Sequence, residues 1–166
     1  MSASTQTLPI AVIGAGLAGL SCAQALLQAG HTVHVFDKSR GPSGRMSTRR
    51  AEDPAVPWQC DHGAQYFTAR HPQFRAEVAR WQQAGVAALW DVRLTSFDGT
   101  VWTTLATPLE RFVGTPRMTS PAGWLVQGLQ QAGDRALAQW QTTVQTLERH
   151  ADGWAITSAE RGLHAQ

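Results

Sequence analysis

The sequence predicts an α/β fold that opens on a parallel βαβ unit, and three observations predict it. Ile10-Ala11-Val12-Ile13 is a short apolar run rich in β-branched residues, as a buried parallel strand should be. It runs directly into Gly14-Ala15-Gly16-Leu17-Ala18-Gly19, a GxGxxG pattern. A second run, residues 31–36, is closed by an acid, Asp37, 18 residues beyond Gly19.

Between the two runs, Leu17, Leu20, Gln24 and Leu27 recur at helical spacing among the small residues Ala18, Ser21, Cys22 and Ala25, and Gly30 supplies a left-handed C-cap. Gly14 permits the tight turn out of the strand. Gly16 lets the backbone approach a pyrophosphate, and Gly19 lets the helix pack closely on the strand. Free N–H groups and the positive end of the helix dipole then face the phosphates. Asp37 stands where a ribose diol can donate to it. It would repel a 2′-phosphate, so NADPH is disfavoured and both NAD and FAD are allowed.

Residues 38–50 depart from an ordinary NAD dehydrogenase, where a short turn and another helix would follow. This stretch holds two glycines, a proline and five basic residues, with no helical apolar stripe. It reads either as an extended loop following a polyanionic cofactor or as a solvated arginine-rich surface loop.

The bulk properties exclude more than they select. The chain has 166 residues, 43% hydrophobic and 16% charged, with a net charge of +2 and Lys38 as the one lysine. That suits one globular domain and gives no reason to expect a nucleic-acid partner. The start is polar, without signal-peptide pattern, and no apolar run is long enough to span a membrane, so a cytoplasmic location without membrane association is expected. Cys22 and Cys60 form no CxxC and are expected as buried free thiols. His31, His34, His62, His71, His150 and His164 show no metal-ligand spacing, so no metal is expected, and there is no GxSxG nucleophile signature. Seven tryptophans are spread along the chain without basic interleaving and are expected to pack in the core and around the ligand.

Further along, Pro72 begins a helical stretch carrying Phe74, Val78 and Trp81 before Gly85. Asp98-Gly99 and Ala151-Asp152-Gly153 mark two hairpins, and a third helix spans about 121–132. The expected organisation is a dinucleotide-binding segment over 1–70, a partial substrate or cap region over 71–135, and a β-hairpin of the binding region over 136–166.

With these motifs in place, the chain resembles the bacterial renalase-like oxidoreductases of the amine-oxidase superfamily of flavoproteins. The resemblance is carried by residues 36–41, by Gly44-Arg45-Met46-Ser47-Thr48-Arg49-Arg50, by Asp61-His62-Gly63-Ala64-Gln65-Tyr66-Phe67-Thr68-Ala69-Arg70, and by Val113-Gly114-Thr115-Pro116-Arg117-Met118. It implies an FAD/NAD(P)-binding Rossmann-like fold with part of a mixed substrate domain, and FAD as cofactor. Gly14, Ala15, Gly16, Leu17, Ala18 and Gly19 would hold the pyrophosphate, with Asp37 and Lys38 at the adenosine ribose. Gly44, Arg45 and Met46 would lie along the diphosphate or flavin, and Gly63, Ala64 and Gln65 beside the isoalloxazine. Gln65, Tyr66, Phe67 and Thr68 would border the substrate. The usual glycine doublet before the arginine is Ser43-Gly44 here, so a side chain at 43 could crowd the loop.

The implied activity is hydride transfer from a small donor, such as a dihydronicotinamide isomer, to flavin and then to dioxygen. An amine donor stays open, and no side chain is assigned as catalytic. Members of the family run to about twice this length. By the resemblance, a missing second half would supply the strand that returns to the nucleotide-binding sheet and most of the substrate domain, leaving this sheet with an exposed edge. Two other readings remain: an NAD-linked dehydrogenase, and a catalytically inert, truncated dinucleotide-binding module. The oligomeric state is not indicated.

Overall fold

The computed structural model describes residues 8–51, 55–91, 93–105 and 109–158. In chain order the elements are β1 (Ile10–Ile13), α1 (Leu17–Gln28), β2 (Val33–Phe36), β3 (Thr48–Arg50), β4 (Gln59–Asp61), α2 (Pro72–Gln83), β5 (Ala87–Leu89), β6 (Leu94–Phe97), β7 (Trp102–Leu105), β8 (Phe112–Gly114), α3 (Ser120–Gln130), β9 (Ala136–Gln139), β10 (Val144–His150) and β11 (Gly153–Ser158). The chain divides into two compact units. The first joins residues 1–46 to 122–166, and the second is 47–121. The boundary after Met46 falls earlier than the one expected at residue 70.

The first unit is built on a three-stranded parallel sheet in the order β1-β2-β9. Its core joins Val12, Val33 and Val35 of the sheet to Leu20, Ala23 and Leu27 of α1 and Ala122, Leu125 and Leu129 of α3. Leu20 and Leu27 keep the helical spacing read in the sequence, while Leu17 and Gln24 are half-buried and Ala23, not part of that reading, joins the core. Burying such a leucine stabilises the fold by about 2 kcal/mol. α1 ends at Ala29, and Gly30 follows at φ +91°, the left-handed position that favours glycine.

β9 was not read in the sequence: Ala136–Gln139 lies parallel on β2, Val33 opposite Ala136 and Phe36 opposite Gln139. The segment lacks the β-branched residues that announce a strand; the open edge of β2 organises it. Among the described residues β1 is paired on one side only, so the sheet does keep an open edge there. An apolar groove of about 420 Å³, lined in part by Leu8, Ile13, Leu147, Trp154 and Ile156, runs beside β1.

The second unit contains the β3–β4, β5–β8 and β6–β7 antiparallel pairs and α2. The expected loop over 38–50 carries more structure than was read: Gly44–Met46 forms one 3₁₀ turn and Thr48–Arg50 is a strand paired with Gln59–Asp61. The Asp98-Gly99 and Asp152-Gly153 turns join their hairpins as read.

Two burial expectations fail. Cys22 and Cys60 are both exposed. Of the seven tryptophans only Trp81 is fully buried; Trp124 and Trp140 are half-buried, and Trp58, Trp90, Trp102 and Trp154 are exposed. In short hairpins, alternation turns every second side chain outward whatever its hydrophobicity.

Candidate dinucleotide and ligand sites

The residues expected to cradle a pyrophosphate lie wholly within the first unit. β1 ends at the parallel sheet's carboxyl edge, Gly14 turns at φ +101°, and α1 begins at Leu17 with Gly16 as its N-cap. No side chain caps this helix and no acid stands in its first turn. With no side-chain cap taking them, its N-terminal amides stay open to an anionic group. A Cβ on Gly19 would fall 1.9 Å from the Gly14 carbonyl oxygen, so close packing of α1 on the turn depends on that glycine.

The loop after β2 folds back onto this turn. Ser43 N–H donates to the Ala15 carbonyl at 3.0 Å, and Ser43 bridges Gly16 in a parallel sense. A Cβ on Gly44 would lie 3.2 Å from the Gly16 Cα, so backbone meets backbone here. Ser43 is buried and holds φ +122°, a conformation suited to glycine. The expected crowding by Ser43 thus takes the form of backbone strain. Arg45 and Lys38 are exposed, and Met46 is buried.

Asp37 sits at the tip of β2 as expected, but both of its oxygens are already used. Oδ2 accepts from Ala15 N–H at 2.6 Å and Oδ1 from Ser39 N–H at 2.7 Å. Each carboxylate oxygen retains a second lone pair, so a ribose hydroxyl can still donate to it. Gly14, Ala15, Gly16, Gly19, Asp37 and Gly44 are thus brought together around one turn.

Residues 61–70 belong to the second unit. Asp61 ties three segments: Oδ1 accepts from Thr48 Oγ1 at 2.5 Å and Oδ2 from Met118 N–H at 3.2 Å. The loop before α3 is close enough that a Cβ on Gly114 would lie 2.3 Å from the Arg117 carbonyl oxygen. Ser47 Oγ and His62 Nε2 are 3.0 Å apart, an exposed pair that the sequence did not announce. Asp61 is committed elsewhere and does not orient His62, so this is no nucleophile–base–acid relay.

Gly63 and Gln65 are exposed and Ala64 half-buried in the turn after β4. Beyond them, Phe67 and Phe112 exchange backbone hydrogen bonds at 2.9 and 2.8 Å, while Leu89 pairs with Phe112 from the other side. Alternation then sorts the side chains into two sets. Phe67 stacks on Phe112 at 5.8 Å and meets Trp81 edge-on at 5.9 Å and Phe74 at 6.2 Å, all packed against α2. Phe67 was expected beside the substrate; its ring is used in packing. Tyr66, Thr68, Trp90 and Arg111 take the opposite face. There the rings of Tyr66 and Trp90 lie 5.9 Å apart and the Arg111 guanidinium 5.2 Å from the Tyr66 centroid. Trp90 and Arg111 were not singled out by sequence, since only the strand register brings them to Tyr66.

Among the described residues no cluster of histidine, cysteine or carboxylate side chains could hold a metal, and no helix is long and apolar enough to cross a membrane.

A family model described as an NAD(P)-binding Rossmann-like domain matches residues 12–81. A zeta-carotene-forming phytoene desaturase of Myxococcus xanthus is 53% identical over 47 residues, covering 28% of this chain and 9% of that protein. An L-amino-acid oxidase of Sistrurus catenatus edwardsii is 31% identical over 81 residues, 49% of this chain and 15% of that protein. Among solved structures, putrescine oxidase bound to putrescine superposes with a TM-score of 0.64 at 12% identity, over 92% of this chain and 55% of that one. The chain therefore shares the Rossmann-like α/β fold of these proteins. It spans about half the length of that oxidase and less than a sixth of these two curated relatives.

Proposed function

We propose that the chain is the cofactor-binding part of an FAD-dependent oxidoreductase. The observation that carries this is the closed turn made by Gly14–Gly19, Gly44 and Asp37. It leaves the N-terminus of α1 uncapped for a pyrophosphate and puts an acid where a 2′-phosphate would be repelled. FAD is favoured over NAD because β2 leads into a whole second unit where an NAD dehydrogenase would continue with a helix. The desaturase and oxidase relatives support the same choice.

Gly14 to Gly19 hold the diphosphate through backbone N–H groups. Asp37, with Lys38 beside it, orients the ribose, and Arg45, exposed in the turn after it, supplies a cation to the phosphates. From the resemblance we assign Gly44 and Met46 to the cofactor loop, Gly63, Ala64 and Gln65 to the flavin ring, and Gln65, Tyr66 and Thr68 to the substrate side, with Phe67 supporting them through α2. Held there, FAD would supply a hydride acceptor for a small donor, with dioxygen as the oxidant that restores it and leaves as hydrogen peroxide. The renalase-like reading makes that donor a dihydronicotinamide isomer. No catalytic side chain, metal, nucleic acid or membrane enters this reading, and a cytoplasmic location goes with it.

The experiment is to purify the chain, record its visible spectrum and identify any released chromophore. A yellow protein that releases FAD, bleaches with a dihydronicotinamide isomer and recovers in air supports the proposal. Colourless protein that takes up NAD but not added FAD rejects it in favour of a dehydrogenase.

A further inference from the structure

The face of the second unit opposite α2 carries a cation that no carboxylate among the described residues pairs with. Arg111 donates from one terminal nitrogen to the Leu109 carbonyl at 3.1 Å, and it makes no ion pair among the described residues. The neighbouring acid does not serve it: Glu110 pairs with Arg75 of α2 at 2.6 Å. The Nε of Arg111 is buried and has no hydrogen-bond partner. A buried unsatisfied donor on a permanent charge is costly, and native proteins keep one where something else completes it. Beside it, Tyr66 and Trp90 remain 38% and 39% exposed, with their rings tilted 41° to one another. A cation flanked by two uncovered aromatic rings offers an oxyanion a charge-assisted contact and a planar group a stacking surface.

We infer that Tyr66, Trp90 and Arg111 form a recognition site for an aryl oxyanion, a ring-bearing carboxylate or phosphate. The ring covers Tyr66 and Trp90, and the oxyanion engages the guanidinium, turning it so that its Nε edge gains the acceptor it lacks. This rests on the assignment of Tyr66 to the substrate side and narrows it. A cationic amine would be repelled by Arg111, so the site selects anionic donors over amines. Arg111 acts as a specificity-determining residue, with no part in bond-making.

The test titrates the full chain, without added FAD, with phenylacetate, phenyl phosphate, phenylacetamide and phenethylamine, following tryptophan fluorescence and calorimetric heat. At least one of the two anions should bind ten-fold or more tightly than the amide, and the amine should not bind. Which anion binds better separates carboxylate from phosphate recognition. Arg111→Gln should abolish the preference for the anion, and Arg111→Lys should keep part of it. If acid and amide titrate alike in the wild-type chain, or neither anion binds, the inference is overturned; that comparison needs no variant to fold. FAD content is read separately from the visible spectrum. Anion binding by a chain that takes no FAD would sink the cofactor reading alone, and a yellow chain blind to ligand charge would sink this one alone.

Discussion

Asp37 Oδ2 accepts the Ala15 N–H at 2.6 Å, so the acid at the end of the second strand braces the glycine turn at the end of the first. Its second oxygen holds Ser39 N–H at 2.7 Å. Asp37 thus shapes the cradle before any ribose arrives. Asp37→Ala should lower FAD affinity about five-fold or more, about 1–3 kcal/mol, and also reduce thermal stability of the unliganded chain. A fluorescence titration with FAD and a melt without it separate the two effects. An unchanged melt would leave only the ribose contact.

Ser43 should respond in the opposite direction. A non-glycine residue at φ +122° costs about 1–3 kcal/mol, and glycine loses about 0.5–1 kcal/mol through its extra freedom when unfolded. The first effect wins, so Ser43→Gly should stabilise the chain by about 1 kcal/mol. Urea unfolding of the pair measures it, and a lower midpoint for the glycine variant would contradict the strain.

Two helical glycines should diverge. Gly19→Ala places a methyl 1.9 Å from the Gly14 carbonyl oxygen, where only backbone can yield. It should destabilise the first unit by several kcal/mol or prevent folding, on the order of the largest point-mutation effects. Gly128→Ala meets only the end of the Gln24 side chain, at 2.6 Å. Its helix-propensity gain of about 1 kcal/mol offsets loss of the Gln24–Leu125 hydrogen bond, so little net change is expected. Circular dichroism melts of both variants decide this.

Phe67 and Tyr66 are neighbours with opposite roles. Phe67→Ala removes a ring packed on Phe74, Trp81 and Phe112 and should cost about 3 kcal/mol. Tyr66→Ala should cost much less stability and instead weaken ligand binding. Equal loss of stability in the two variants would refute the division of faces.

Burial on β2 holds the His34 pKa below its ordinary 6.5. The folded state therefore binds fewer protons than the unfolded one just below that value. His34 thus makes the fold less stable as pH falls through about 6.5 toward the folded-state pKa, with the full contribution present above it. His34→Leu should flatten that part of a stability–pH profile, and an unaltered profile would assign the dependence elsewhere.

The opening βαβ unit was legible because its signals are local: β-branched strand, fixed glycines, helical leucines and a terminal acid lie within one short stretch. α2 and both hairpins were legible for the same reason, through Pro72, Gly85, Asp98-Gly99 and Asp152-Gly153. β9 was not, since Ala136–Gln139 owes its conformation to β2 and carries no pattern of its own. Trp90 and Arg111 were hidden because only strand pairing between distant segments brings them to Tyr66. The tryptophans misled because hydrophobicity alone does not say which side of a short strand faces the core.

The pairing of β2 with β9 also sets an order of events. Val33 meets Ala136 across about a hundred intervening residues, a loop whose closure costs only about 1 kcal/mol more than the shorter βαβ connection but which must wait for those residues to be made. β1, α1 and β2 can assemble from neighbouring contacts while the rest of the chain is still being made. The third strand can dock only after the inserted unit has been synthesised. Until then β2 has a bare hydrogen-bonding edge, and a nascent or unfolded chain is most exposed to mispairing there.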